Sequence, residues 1–182
     1  MRQLLYGVAM SLDGYIAGPN GEFDWIPHDP EIDFAEIFSR FDTLLMGRKT
    51  FEITHKAPQT DNPTDPQYEG GAHPGMRTVV VSRRLKPEDY PRVTIINDRV
   101  AEAVAELKAK PGKDIWLFGG GELFGSLLDL GLVDRIEVAV VPVLLGSGIP
   151  FIAGAATKRV LRFEKQQVYK NSGIVALEYA LA

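Results

Sequence analysis

Five short apolar runs set the architecture of this chain. Residues 4–10, 43–46, 78–81, 93–96 and 115–118 each have the length of one strand and little polar alternation. Such runs belong to strands buried on both faces, the condition of a parallel sheet with helices above and below it. Helical periodicity fills most of the intervals. Residues 31–41 place Ile32, Phe34, Ala35, Ile37, Phe38 and Phe41 largely along one stripe. Residues 99–110 turn Val100, Ala103, Val104 and Leu107 inward, between a cap at Asn97 or Asp98 and a stop at Pro111-Gly112. Leu123, Phe124, Leu127 and Leu128 line a further helix stopped by Gly131. Then the rhythm changes. Residues 135–143 read as a strand, and 161–169 and 174–181 flank the turn signal Asn171-Ser172-Gly173. The expectation is a three-layer α/β/α domain, its mostly parallel mixed sheet ending in an antiparallel C-terminal hairpin.

A chain of 182 residues fits one such domain. With no cysteine, disulfides, thiolate metal sites and cysteine nucleophiles are excluded. His28, His55 and His73 lack the spacing of a helical metal pair and read as surface histidines. The formal charge of −4 argues against a general nucleic-acid binder. No stretch approaches the roughly 20 apolar residues of a membrane span, and the N-terminal apolar run meets Asp13 too soon for a signal peptide. A cytoplasmic setting is expected. The interval 54–76 shows no periodicity and holds Pro58, Pro63, Pro66 and Pro74, so it reads as an irregular loop.

Charge is unevenly placed. Residues 1–36 hold seven acids (Asp13, Glu22, Asp24, Asp29, Glu31, Asp33, Glu36) and one base, Arg2; residues 77–92 hold five bases (Arg77, Arg83, Arg84, Lys86, Arg92) and two acids. Either these are two solvated surfaces of opposite sign, or one site has a cationic end and an acidic end.

Three segments carry the chemistry. In DIWLFGGGELFGSLLDLG an apolar strand runs through Gly119, Gly120 and Gly121 into a helix. That arrangement lets backbone N–H groups and a helix N-terminus take a phosphate, where any Cβ would obstruct the approach. A tight, closely packed turn is the alternative. Gly119, Gly121 and Gly125 also fit a loose dinucleotide pattern, but they come too late in the chain for a Rossmann fingerprint. In DTLLMGRKTFE, Gly47 ends a buried strand and Arg48, Lys49 and Thr50 follow at once. Ser82-Arg83-Arg84 again follows directly on a strand. Basic clusters at two strand ends and a glycine turn at a third converge on one sheet edge and favour a ligand with two separated phosphate groups.

SLDGYIAGPNGEFDW, DTLLMGRKTFE, RTVVVSRR, FGGGELFGSLLDLGLVDRI and VPVLLGSGIPF occur here in the order of the dihydrofolate-reductase-like superfamily. More closely, the chain resembles the C-terminal reductase domain of the bifunctional deaminase–reductases of riboflavin biosynthesis and its stand-alone relatives. That resemblance implies an NADPH-dependent reductase acting on a heterocyclic substrate, and a homodimer. Carried onto this chain, it implies that Gly47, Arg48 and Thr50 bind the pyrophosphate side of NADPH. Ser82 and Arg83 would read the 2′-phosphate, Gly119, Gly120, Gly121, Glu122 and Leu123 would wrap the diphosphate, and Ala9, Ile16 and Ala17 would approach the nicotinamide.

For the proton, the resemblance of DFAEIF to the first helix of dihydrofolate reductases makes Asp33 the catalytic candidate; its other reading is a carboxylate complementing a helix dipole. Asp13 is a second candidate, equally a turn acid before Gly14. The sequence departs from the riboflavin enzymes at Phe118, where they commonly carry Glu, and it lacks their cysteine-bearing deaminase half. Phe23 and Trp25 read as a loop anchor or as lining of the substrate mouth. Dihydrofolate reductase and a non-catalytic NADPH-binding sensor are the rival functions.

Overall fold

The computed structural model describes residues 1–56, 75–154 and 157–182. In chain order its elements are β1 (Leu4–Ser11), β2 (Tyr15–Ala17), α1 (Phe34–Ser39), β3 (Phe41–Gly47), α2 (Arg48–Lys56), β4 (Arg77–Val81), β5 (Val93–Ile96), α3 (Val100–Ala109), β6 (Asp114–Leu117), α4 (Gly121–Asp129), β7 (Arg135–Val141), β8 (Ile149–Pro150), β9 (Leu161–Tyr169) and β10 (Ile174–Leu181), with a short 3-10 turn at Pro87–Asp89. Eight strands form one sheet in the order β5-β4-β3-β6-β1-β7-β10-β9. Pairing is parallel from β5 to β7 and antiparallel from β7 through β10 to β9. The fold is the expected one.

Neighbouring strand residues point to opposite faces, and the core divides accordingly. Tyr6, Leu45, Val79, Leu117 and Ile136 pack with Val104 and Leu107 of α3 and with Phe124, Leu127 and Leu128 of α4. Leu44, Met46 and Val80 pack on the other face with Phe51 of α2. Phe38 of α1 reaches Trp116 on that second face, ring centroids 5.4 Å apart. Tyr6 stacks on Phe124 at 3.8 Å and donates its hydroxyl to the Phe151 carbonyl at 3.0 Å. Burial pushes the Tyr6 phenol well above its ordinary range, so it stays a neutral donor. Burying each such side chain stabilises the fold by about 1.5–3 kcal/mol.

Element boundaries moved for local reasons. The stripe over 31–41 becomes a six-residue helix because Asp33 caps it, its carboxylate accepting from Glu36 N–H at 2.9 Å. Neither Asn97 nor Asp98 caps α3; the position falls to Arg99, at φ 40° and without a side-chain cap bond. β7 ends at Val141 because Pro142, with no N–H, cannot extend the ladder. Residues 54–56, assigned to the irregular loop, complete α2. The rest of that expectation, 57–74, lies outside the described residues. Gly131 does stop α4, at φ 69° with its N–H on the Leu128 carbonyl at 3.0 Å.

Candidate active site

Parallel strands end on one edge of their sheet, and α/β ligands bind in the crevice outside that edge. Here it carries Ser11 at the end of β1, Gly47 at the end of β3, Ser82-Arg83 after β4 and Phe118-Gly119 after β6. The two phosphate motifs touch. Gly47 N–H donates to the Gly119 carbonyl at 3.2 Å, and a Cβ on Gly119 or Gly120 would lie 3.5 Å from Thr50 Oγ1. Gly119 sits at φ 129°, a conformation that favours glycine. The α2 and α4 N-termini therefore start side by side, and neither has an acidic side chain capping it; α2 has no acid in its first turn at all. Such a pair of helix starts presents free N–H groups and positive dipole ends to an anion.

The basic side chains at this end differ in readiness. Arg48 is paired with Glu52 one turn on, at 2.7 and 2.9 Å. Lys49 lies 3.8 Å from Glu122, both largely exposed. Ser82 is buried, and its hydroxyl oxygen accepts the N–H groups of Arg84 and Leu85 at 3.1 Å, so it shapes the turn that presents Arg83. Arg83 is exposed and makes no ion pair with a described residue.

The segment after β7 contributes contacts that sequence reasoning did not assign. β8 pairs with β2, Tyr15 opposite Pro150 and Ala17 opposite Ile149. Phe151 N–H donates to the Gly14 carbonyl at 2.8 Å, and Ala153 N–H to the Gly121 carbonyl at 3.1 Å. A Cβ on Gly121 would fall 2.3 Å from the Pro150 carbonyl oxygen. Gly121 is thus a glycine because this strap crosses it, whereas Gly119 and Gly120 face Thr50. The strap ties β2, with Ile16 and Ala17, to the glycine turn. Its signal was Gly146-Ser147-Gly148: Gly148 has φ 158° and its Cβ would meet the Ala17 carbonyl oxygen at 2.2 Å.

Ala9 lies within β1, opposite Ala139 of β7, which in turn stands opposite Ala176 of β10. All three are only partly buried, although they lie in the interior of the sheet. Asp13 accepts from Ser11 Oγ at 2.6 Å and from the N–H groups of Gly146 and Leu145 at 2.7 and 3.1 Å, which hold its carboxyl below the usual range. It is an anchored turn acid. Glu22 is lowered by Asn20, whose amide donates at 2.7 Å. Asp33 is the exposed cap of α1. Arg2 is buried at the N-terminal end of β1 against Asp42, and Arg40 is clamped by Glu137 at 2.9 Å, which raises its pKa. Phe23 is exposed, while Trp25 donates Nε1–H to the Glu22 carbonyl at 3.1 Å within its own loop. His28 is exposed, and His55 stacks on Phe51 at 5.2 Å. Among the described residues no group of acids and histidines forms a metal site, and no helix is long and apolar enough to cross a membrane.

An α/β sheet that is parallel from β5 to β7, with glycine-bearing and basic turns at the ends of β3, β4 and β6, is the plan of the dihydrofolate-reductase-like fold. The comparisons narrow it. Residues 2–175 match the model of the RibD C-terminal domain, and the chain belongs to that family. It is 35% identical over 179 residues to the protein YyaP of Bacillus subtilis, covering 98% of this chain and 94% of that one. It is 28% identical over 157 residues to the riboflavin biosynthesis protein RibD of Corynebacterium ammoniagenes, covering 82% of this chain but 45% of that protein. Among solved structures, one from Shewanella sp. PV-4 superposes with a TM-score of 0.78 at 26% identity, covering 100% of this chain and 99% of that one. The diaminohydroxyphosphoribosylaminopyrimidine deaminase/5-amino-6-(5-phosphoribosylamino)uracil reductase of Thermotoga maritima superposes at 0.69 with 15% identity, covering 100% of this chain and 57% of that one, and shares the fold.

Proposed function

We propose that this protein is an NADPH-dependent oxidoreductase that delivers hydride to a C=N or C=O bond of a heterocyclic acceptor. The nearest named activity is the reduction of 5-amino-6-(5-phosphoribosylamino)uracil. The observation that carries the reading is the joint of Gly47, Thr50, Gly119 and Gly120, where two turns meet through a 3.2 Å hydrogen bond and leave a cradle that a Cβ would fill. A diphosphate fits that cradle by chemistry, since N–H groups and helix N-termini take anions. NADPH, when bound, supplies the hydride. This chain's residues bind and orient. Arg48 and Thr50 hold the pyrophosphate with Glu122 and Leu123 closing the far side, Arg83 beside Ser82 meets the 2′-phosphate, and Ala9, Ile16 and Ala17 border the ring. Asp33 or water returns the proton at the acceptor.

The test is titration with NADPH and NADH followed by an acceptor screen that includes 5-amino-6-(5-phosphoribosylamino)uracil and dihydrofolate. NADPH-dependent turnover of the first supports the reading. Tight NADPH binding with no turnover of any pyrimidine, pterin or quinone points to a sensor instead. A homodimer belongs to the same proposal. It is supported by β9, an edge strand with Leu161, Phe163 and Val168 exposed, a template for pairing with a second copy. Sedimentation at micromolar concentration reads it, and a monomer there removes it.

A further inference from the structure

Among the described residues one carboxylate is buried, and the site does not use it. Asp29 is 1% exposed, yet no Lys or Arg among the described residues pairs with it. A buried carboxylate is costly unless donors satisfy it, so its partners identify its purpose. One oxygen accepts Glu31 N–H at 2.9 Å, and the other accepts Ser172 N–H at 3.1 Å. Beside them Asn171 Nδ2–H donates to Glu31 Oε1 at 3.0 Å. Residues 171–173 are the tip of the β9–β10 hairpin. Because β10 runs antiparallel to β7, that tip emerges at the same edge as the C-terminal ends of β1 and β7. Asp29 itself lies between Pro27-His28 and Pro30, in the connection from β2 to α1 that carries Phe23 and Trp25.

We propose that Asp29 is a positioning residue: its carboxylate clamps the β2–α1 connection to the hairpin tip and so fixes one wall of the acceptor side of the cleft. The cofactor side has no part in the clamp. The Gly47–Gly119 joint, Thr50 and Arg83 make no contact with Asp29, Glu31, Asn171 or Ser172. The inference rests on the reductase reading for the word acceptor, but the clamp itself does not.

Two readouts separate the parts. In hydrogen–deuterium exchange of the full chain, Asp29→Asn speeds exchange in peptides covering 20–33 and 169–174 at least tenfold and leaves peptides of β3 and β6 unchanged. Asn cannot accept from both N–H groups, since one of its terminal atoms is itself a donor. Ser172→Ala keeps the backbone N–H on Asp29 and removes the hydroxyl, with its acceptance of Ile174 N–H at 3.3 Å, so it moves the same peptides less; it is the variant to read if Asp29→Asn fails to fold. In turnover with 5-amino-6-(5-phosphoribosylamino)uracil as the probe, Asp29→Asn raises the acceptor KM about tenfold, with kcat within threefold and the NADPH dissociation constant within twofold. Unchanged exchange in both loops overturns the clamp. Faster exchange with an unchanged acceptor KM, or equal losses in KM and in NADPH affinity, overturns the positioning role. A wild-type protein that binds NADPH without turning over any acceptor overturns the reductase reading, and exchange then decides the clamp alone.

Discussion

The two ends of the cleft are built from opposite charges and by opposite means. The end formed by β3, β4 and β6 has side chains held short of full neutralisation: Arg83 without an ion pair to a described residue, Lys49 at 3.8 Å from Glu122, and two helix starts with no acidic cap. The end formed by the β1–β2 turn, the β2–α1 connection and the hairpin tip has acids already spent. Asp13 is bonded to Gly146 and Leu145, Glu22 to Asn20, Asp29 to Ser172 and Asp33 to the first turn of α1. A helix N-terminus capped by its own carboxylate has its donors engaged, whereas an uncapped one keeps them for a ligand. Of the acids in residues 1–36, Asp13, Glu22, Asp29 and Asp33 thus fasten loops and a helix start, and the proposed function gives the basic end the reception of an anion.

That contrast breaks most sharply at the strap over the glycine turn. Gly121→Ala forces a Cβ against the Pro150 carbonyl at 2.3 Å, backbone against backbone. Overpacking of this kind costs about 1–3 kcal/mol, and calorimetry should show it together with loss of NADPH binding. Gly120→Ala meets only Thr50 Oγ1 at 3.5 Å, so it should keep the melting temperature and weaken NADPH alone. Next comes Arg83→Ala, which is expected to cut the preference for NADPH over NADH at least tenfold in parallel titrations while leaving NADH affinity as it was. An unchanged ratio would remove Arg83 as the reader of the 2′-phosphate.

A smaller effect of opposite sign sharpens the comparison. Glu52 competes for Arg48, so Glu52→Gln should tighten NADPH a few-fold, an outcome that a purely structural ion pair does not give. Smallest at neutral pH are the fastened acids. Asp13 and Asp29 have carboxyls held below their ordinary range, by Ser11 and Ser172 hydroxyls first and by backbone N–H groups. A depressed carboxylate contributes stability that is complete above its unfolded pKa and is lost as pH falls through the folded one. Acid unfolding of the wild type should thus steepen below about pH 4, near the ordinary Asp value, and Asp29→Asn should flatten that limb. His28, Glu31 and Tyr169 also lie beside Asp29, and His28 adds to the lowering of its carboxyl. Asp33→Ala should cost about 1 kcal/mol as a lost cap. A fall in kcat of a hundredfold or more at unchanged cofactor affinity would give it the proton as well.

Much of this was legible in the sequence because burial writes itself in hydrophobic runs. The strand runs fixed the parallel sheet, Asn171-Ser172-Gly173 marked the hairpin, and Gly131 marked the end of α4. Gly47 and the three glycines pointed to one edge because strand ends in a parallel sheet share it. What escaped were contacts made across long separations by residues with no periodic pattern. Pro150 over Gly121 and Asp29 under Ser172 join segments about 30 and 143 residues apart, and no local signal encodes either pairing. Residues 149–150 are too short a strand to show alternation. The helix cap moved from Asn97 or Asp98 to Arg99 because tertiary placement of the turn outweighed side-chain preference.

Melting temperature against NADPH and NADH checks the claim that the strand-end glycines and arginines form a site for NADPH. Ligand at about 100 times its dissociation constant adds roughly 2.7 kcal/mol. For a domain of this size that is a rise of about 5–10 °C. That rise is expected with NADPH, and little change with NADH at the same concentration. Equal shifts with both would contradict the role of Arg83, and no shift with either would contradict the claim itself.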